Sequence, residues 1–272
     1  MKRLITGAIG VAMASASLAF AGAPVVPALS NHPNIPGPAA GIHGGPGYNV
    51  TVSTNWSGFA SAPNAGTFTS VRGSWQVPVA TCMGSTDESH VFWVGLDGFG
   101  NGTVEQGGTF AYCAGMTPYY YAWWEMYPTN AITVVYDVRP GDFINASVVY
   151  AKGKFKITVA DTTTKHSFST SQKCASNVVC QRASAEWIGE APYYGGYGTG
   201  NLAEWTNHHG QQQLGFYSGT AAMTGGTKTA IAKLPALWQI GMVNSNGTYY
   251  LADPGGFGTS GTGFQDYWYA ES

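Results

Sequence analysis

From Thr51 to the C-terminus the chain is a succession of short β-branched and aromatic runs, cut by turns that carry glycine or proline. STNWSGFAS, GTFTSVRGSWQVPV, SHVFWVGLDG, ITVVYDV, FINASVVYA and FKITVADTTTKHSFST read as strands, with turns at Pro140-Gly141 and Lys152-Gly153. ASAEWIGEAP, NLAEWTN, QLGFYSG, LWQIGMV, NGTYYLADP and FQDYWYA carry the pattern almost to the end. In PYYYAWWEMYP, strict alternation puts Tyr119, Tyr121, Trp123, Glu125 and Tyr127 on one face and Tyr120, Ala122, Trp124 and Met126 on the other. Neither face looks built for solvent, so one is assigned to the core and the other to a concave cleft. No long helix is evident; in LPALWQI a helical turn competes with strand or loop. GGFGTSGTG reads as a loop, since no helix and no phosphate-loop lysine follow it. The expectation is an all-β, antiparallel sandwich or barrel.

The ends and the charges restrict the setting. Residues 1–23 read as a signal peptide: Lys2 and Arg3, a weakly apolar stretch, then Ala-x-Ala sites at residues 19–21 and 21–23. Nothing after residue 23 is apolar for long enough to span a bilayer, so no membrane association is expected once that segment is removed. Residues 24–50, rich in Pro and Gly, read as a flexible N-terminal arm or a short pro-segment. Residues 51–272 then form one domain, because no long linker divides them. Cys82, Cys113, Cys174 and Cys180 allow three pairings; a local Cys174–Cys180 bridge would leave Cys82 for Cys113. Only 10% of residues are charged, against about 25% in an ordinary soluble domain. A surface of hydroxyls and amides depends little on ion pairs, which suits an acidic exterior, although any extracellular β-protein could share it. The formal net charge is -2, and nearer -4 without Lys2 and Arg3. With no basic patch, nucleic acid is not an expected partner.

Several hydrolytic chemistries lack their residues. There is no G-x-S-x-G elbow, and His208-His209 lies in a Gly/Gln-rich loop without a nucleophile. H-E-x-x-H is absent, so no metal is expected. A paired-aspartate site needs two apposed aspartates, and no D-[TS]-G occurs. What remains are carboxylates among aromatics: Glu125 in AWWEMYP, and Glu186 and Glu190 in AEWIGE, which share a face with Ile188 if the strand is regular. Desolvation should raise such a carboxyl toward the range where it exchanges protons in mild acid. Carboxylates bonded to backbone amides are the structural alternative. Gln106, before two glycines, offers an amide that can hold an oxyanion without titrating.

Taken in order, NWSGF at Trp56, GSW at Gly73–Trp75, QVP at Gln76–Pro78, WVGLDG from Trp93, EQGG at Gln106, WWEMYP from Trp123 and AEWIGE ending at Glu190 resemble the glutamic peptidases. These are the G1 or eqolisin family of secreted, pepstatin-insensitive acid endopeptidases. The resemblance runs from about Thr51 to the C-terminus. It implies a β-sandwich of two curved antiparallel sheets, concanavalin A-like or jelly-roll-like, with the active site in the concave face. Gln106 and Glu190 are implied as the catalytic pair, with Glu186 a supporting carboxylate. Trp56, Trp93, Asp97, Trp123, Glu125 and Tyr127 match positions at or near the cleft and are implied to bind substrate. No cofactor is implied, the partners are polypeptide substrates, and the protein is expected to act as a secreted monomer. Ala191-Pro192-Tyr193 and Phe110 depart from residues found in some relatives, which bears on subsite preference and pH optimum.

Two other functions compete on the residues alone. A glycan-active hydrolase would need two carboxyls facing each other, for which Glu125 and Glu190 are candidates, but would leave Gln106 without a role. A non-catalytic sugar- or peptide-binding module would keep the aromatic groove and tolerate loss of Glu190.

Overall fold

Alternation of side chains along each strand explains how the layers stack. In Lys154–Asp161, Phe155, Ile157 and Val159 are buried while Lys154 and Lys156 are exposed. Each such apolar side chain taken out of water contributes about 1.5–3 kcal/mol. The structure is a computed structural model. It describes Leu29, Ser30, Asn34 and residues 47–63, 66–85, 87–129, 132–194 and 198–271. The signal-peptide segment, residues 1–23, lies outside the described residues, as does most of the arm.

Most strands are hydrogen-bonded into one curved ladder, with two small separate sheets beside it. One layer runs through Ser167–Gln172, Lys154–Asp161, Phe143–Ala151, Phe68–Gln76 and Gln213–Met223. The other runs through Trp56–Ser61, Ala185–Glu190, Ser89–Leu96, Val104–Ala114, Thr117–Tyr127 and Thr133–Asp137. Phe264–Trp268, Tyr250–Pro254 and Leu237–Val243 join the two, so the layers share a continuous ladder. Pairing along this path is antiparallel; Asn49–Ser53 adds to Leu237–Val243 in parallel. LPALWQI therefore resolves mainly as strand, after a 3-10 turn at Ile231–Lys233.

Two apolar regions result. The core between the layers holds Trp75, Phe92, Val94, Trp187 and Phe216. On the outer side of the second layer a separate cluster holds Trp56, Val91, Trp93, Phe110, Tyr121, Trp123 and Ile188. The aromatic strand divides between them as its alternation indicates: Tyr121 and Trp123 join the outer cluster, Ala122 and Met126 the core.

Disulfides join Cys82 to Cys113 and Cys174 to Cys180. The first forms a small cluster with Ala203, and the second closes a short loop packed against the main core. Leu29–Ser30 pairs with Tyr193–Tyr194, and the Asn34 amide donates to Gly98 O at 3.1 Å.

Candidate active site

Three adjacent strands position the central residues. Ala185–Glu190 lies between Trp56–Ser61 and Ser89–Leu96, with Glu190 opposite Trp56 on one side and Val91 on the other. Val104–Ala114 follows, placing Gln106 opposite Gly95 and, across its other edge, opposite Glu125. Gln106, Glu125 and Glu190 are all fully buried.

Each of these groups is held. Trp93 Nε1 donates to Glu190 Oε2 at 2.7 Å, and Asn55 Nδ2 approaches Oε1 at 3.4 Å. Asn55 is itself oriented by Ser53, whose hydroxyl donates to Asn55 Oδ1 at 2.8 Å. Gln106 Nε2 donates to Glu125 Oε2 at 2.9 Å, which sets the amide's orientation and leaves Gln106 Oε1 buried without a partner among the described residues.

The Trp93 indole links the two halves. A Cβ on Gly95 would stand 2.7 Å from Trp93 Cζ3 and 3.2 Å from Gln106 Cβ. Glycine at this position is what allows the ring to lie over the strand against Gln106 while its Nε1 reaches Glu190. Trp56 meets Trp93 edge-on, with ring centroids 4.9 Å apart. Hydrogen-bond donors on a carboxylate, in a site walled by indoles, suit proton transfer and the holding of a developing negative charge.

The chain matches the Peptidase A4 family over residues 54–249. It belongs to that family, the glutamic peptidases or eqolisins. No match was found among curated protein sequences. Among solved structures the fold is similar to scytalido-glutamic peptidase with a transition state analog inhibitor, at 22% identity and a TM-score of 0.66, covering 80% of this chain and 100% of that one. It is also similar to SCP-B, an eqolisin in complex with the tripeptide Ala-Ile-His, at 21% identity and a TM-score of 0.62 over 80% of this chain and 100% of that one. Aspergilloglutamic peptidase from Aspergillus niger is similar at 21% identity and a TM-score of 0.55, covering 67% of this chain and 100% of that one. The glutamic peptidase is thus a peptide hydrolase with the curved β-sandwich of its family.

The other residues singled out from the sequence divide. In the eqolisin cluster Trp56 and Trp123 are fully buried walls, and Tyr127 packs at the edge. Trp123 Nε1 is buried without a hydrogen-bond partner among the described residues, which leaves an indole donor unused. Burial first, and then the Glu125 charge, push the Tyr127 phenol up. Asp97 stands apart from the Gln106–Glu125–Glu190 hydrogen bonds. Its oxygens accept from the Ala183 and Arg182 amides at 2.7 Å each and from Asn101 Nδ2, so the chain's own donors occupy the anchor expected for substrate.

Glu186 is buried beside this loop, and desolvation raises its carboxyl well above the ordinary range; Ser184 offsets this in part and the Asp97 charge adds to it. Asn55 and Ser53 were not legible as site residues. The place of Asn55 next to Trp56 in NWSGF was the available signal, but sequence does not reveal that Asn55 is buried and aimed at a glutamate 135 residues away.

Among the described residues, one grouping combines metal-ligating types: Glu105, Cys174 and Cys180. The two sulfurs are joined to each other, so they cannot supply the thiolates a metal requires. No helix among the described residues is long and apolar enough to cross a membrane.

Proposed function

We propose that this eqolisin is an acid endopeptidase in which Glu190 activates water and Gln106 stabilises the oxyanion. The observation that carries the reading is the pair of clamps, Trp93 and Asn55 on Glu190 and Glu125 on Gln106. Ionised Glu190 takes a proton from water as the water oxygen bonds to the scissile carbonyl carbon. The carbonyl oxygen becomes an oxyanion, toward which the second Gln106 N–H donates. Protonated Glu190 then gives its proton to the leaving nitrogen as the C–N bond breaks, which regenerates the carboxylate. Because one glutamate must accept and then donate, activity belongs in acid.

Trp56, Trp93, Trp123 and Tyr127 supply apolar subsite walls for an extended peptide, and the spare Trp123 N–H offers it a donor. Residues 24–50 are read as an N-terminal arm or short pro-segment, of which Asn49 and Val50 already belong to the strand Asn49–Ser53. The contacts of Leu29–Ser30 and Asn34 close in sequence to both Glu190 and Asp97 support the reading. The mature enzyme is expected to be a secreted monomer, insensitive to pepstatin, and the two disulfides fit an oxidising exterior. Family membership favours peptide hydrolysis over the glycan-active and binding-only alternatives. Glu125, bonded to Gln106 Nε2, serves here as a positioning residue.

The test is cleavage of an unfolded protein from pH 2 to 7 by wild type and Glu190→Gln, with pepstatin and EDTA present. Activity in acid that survives both inhibitors and falls about 10³-fold in the folded variant supports the assignment. A variant that retains wild-type turnover would remove Glu190 from the mechanism.

A further inference from the structure

The opposite face of the sandwich carries a second candidate site. Leu214 and Phe216 point into the core, so Gln213, Gly215 and Tyr217 face outward from the other layer. Register places Phe143 opposite Gln76 and Gly215 opposite Gln265, which brings their side chains to the same face. Here a small groove of about 180 Å³ is lined by Gln76, Gln213, Gln265, Asn207, His208 and Tyr217, and no Asp, Glu, Lys or Arg contributes to it.

The aromatic part of this groove is built flat. A Cβ on Gly215 would collide with the Tyr217 ring at Oη and Cζ, so the ring lies along the strand over the glycine. Tyr217 remains 44% exposed and Phe143 37% exposed. Their rings stack with centroids 6.2 Å apart and planes 23° from parallel.

The amides beside them are partly committed and partly free. Gln76 Nε2 donates to Gly141 O at 3.0 Å, and Gln213 Nε2 to Gln211 Oε1 at 3.2 Å, which orients both side chains and leaves their own carbonyl oxygens for a ligand. The Gln265 side chain makes no hydrogen bond within the described residues. His208 packs over the Pro140-Gly141 turn at the groove's edge.

We propose that this groove binds a neutral pyranose unit of a glycan, at a site separate from the peptidase cleft. A pyranose presents an apolar C–H face and an equatorial rim of hydroxyls. The flat tyrosine matches the face, and amides that both donate and accept match the rim. The polar lining is mostly amide, with His208 and His209 beside it, and the volume admits about one ring. Such a site would hold the enzyme on glycosylated protein or on neutral polysaccharide, and binding does not depend on the peptidase mechanism.

Affinity electrophoresis in gels containing β-glucan, mannan or soluble starch tests this. At least one polysaccharide should retard the wild-type protein, and the one that does names the sugar. Tyr217→Ala should weaken that affinity at least about tenfold, Tyr217→Phe should keep most of it, and Glu190→Gln should bind as wild type. Gln265→Leu supplies a second variant at a side chain with no internal bond, should Tyr217→Ala fold poorly. No retardation by any of the three polysaccharides, or retardation undiminished in folded Tyr217→Ala and Gln265→Leu, overturns the proposal and leaves the peptidase reading untouched.

Discussion

Two groups of buried carboxyls share the Ala185–Glu190 strand and its neighbours, and they are treated oppositely. Glu190 receives the Trp93 and Asn55 N–H groups, and Glu125 receives the Gln106 amide. Glu105 and Glu186 are as deeply buried, yet no N–H group donates to either carboxyl among the described residues. Desolvation, followed for Glu105 by the Asp97 charge, raises both well above the ordinary range, which favours their protonated form. Between them Asp97 is served by backbone amides. Residue type and burial are therefore the same in both groups, and the supply of N–H donors separates them.

The largest effect on this contrast should come from the clamps' own targets. Gln106→Ala should lower kcat about 10²–10³-fold with modest change in KM, measured on a peptide substrate in acid. A purely structural Gln106 would move stability and leave turnover intact.

Removing one donor should act next. Trp93→Phe keeps the ring over Gly95 but deletes the N–H on Glu190, and should cost about tenfold in kcat. With the charged form of Glu190 less supported, the acid limb of the rate profile should move to higher pH. An unmoved limb would break the idea that this bond prepares the carboxylate. Glu125→Gln can present either an acceptor or a donor to Gln106, so the amide loses its fixed orientation; a fall of about tenfold in kcat is expected, again with little change in KM.

Two further buried carboxyls, Asp266 and Asp253, should affect stability and leave turnover alone. Asp266 is fully buried, accepts from Ser57 Oγ at 2.5 Å, and is pushed by desolvation from the ordinary aspartate range up to about 8. Asp253 is raised to about 7, also by desolvation. The folded state thus holds protons that the unfolded chain releases, and the stabilisation is fully present below about pH 4 and lost as pH rises toward about 8. Thermal melts should accordingly show the highest Tm in acid and a decline through that window. Asp266→Asn should leave stability in acid within about 1 kcal/mol of wild type and flatten part of the decline. A Tm that rises from pH 4 to 8 would remove these carboxyls from the pH response.

Much of this was legible in the chain itself. Alternation in PYYYAWWEMYP divides that strand between cluster and core, because successive side chains on any strand point to opposite faces. The resemblance carried by the ordered motifs from NWSGF to AEWIGE singled out Gln106 and Glu190, which the fold buries on strands to either side of Ser89–Leu96. Spacing also made Cys174–Cys180 a natural local bridge, with Cys82 left for Cys113. Other features depended on contacts between residues distant in sequence. Asp97 turned inward because a loop some 85 residues later brings two amides to it, and Asn55 reached Glu190 only through the meeting of their strands. The flat Tyr217 over Gly215 likewise needed the layer to be built before its exposed face had neighbours. Local chemistry and period determine strands, turns and faces; which donor meets which carboxylate is decided by register and packing, and only the tertiary structure contains those.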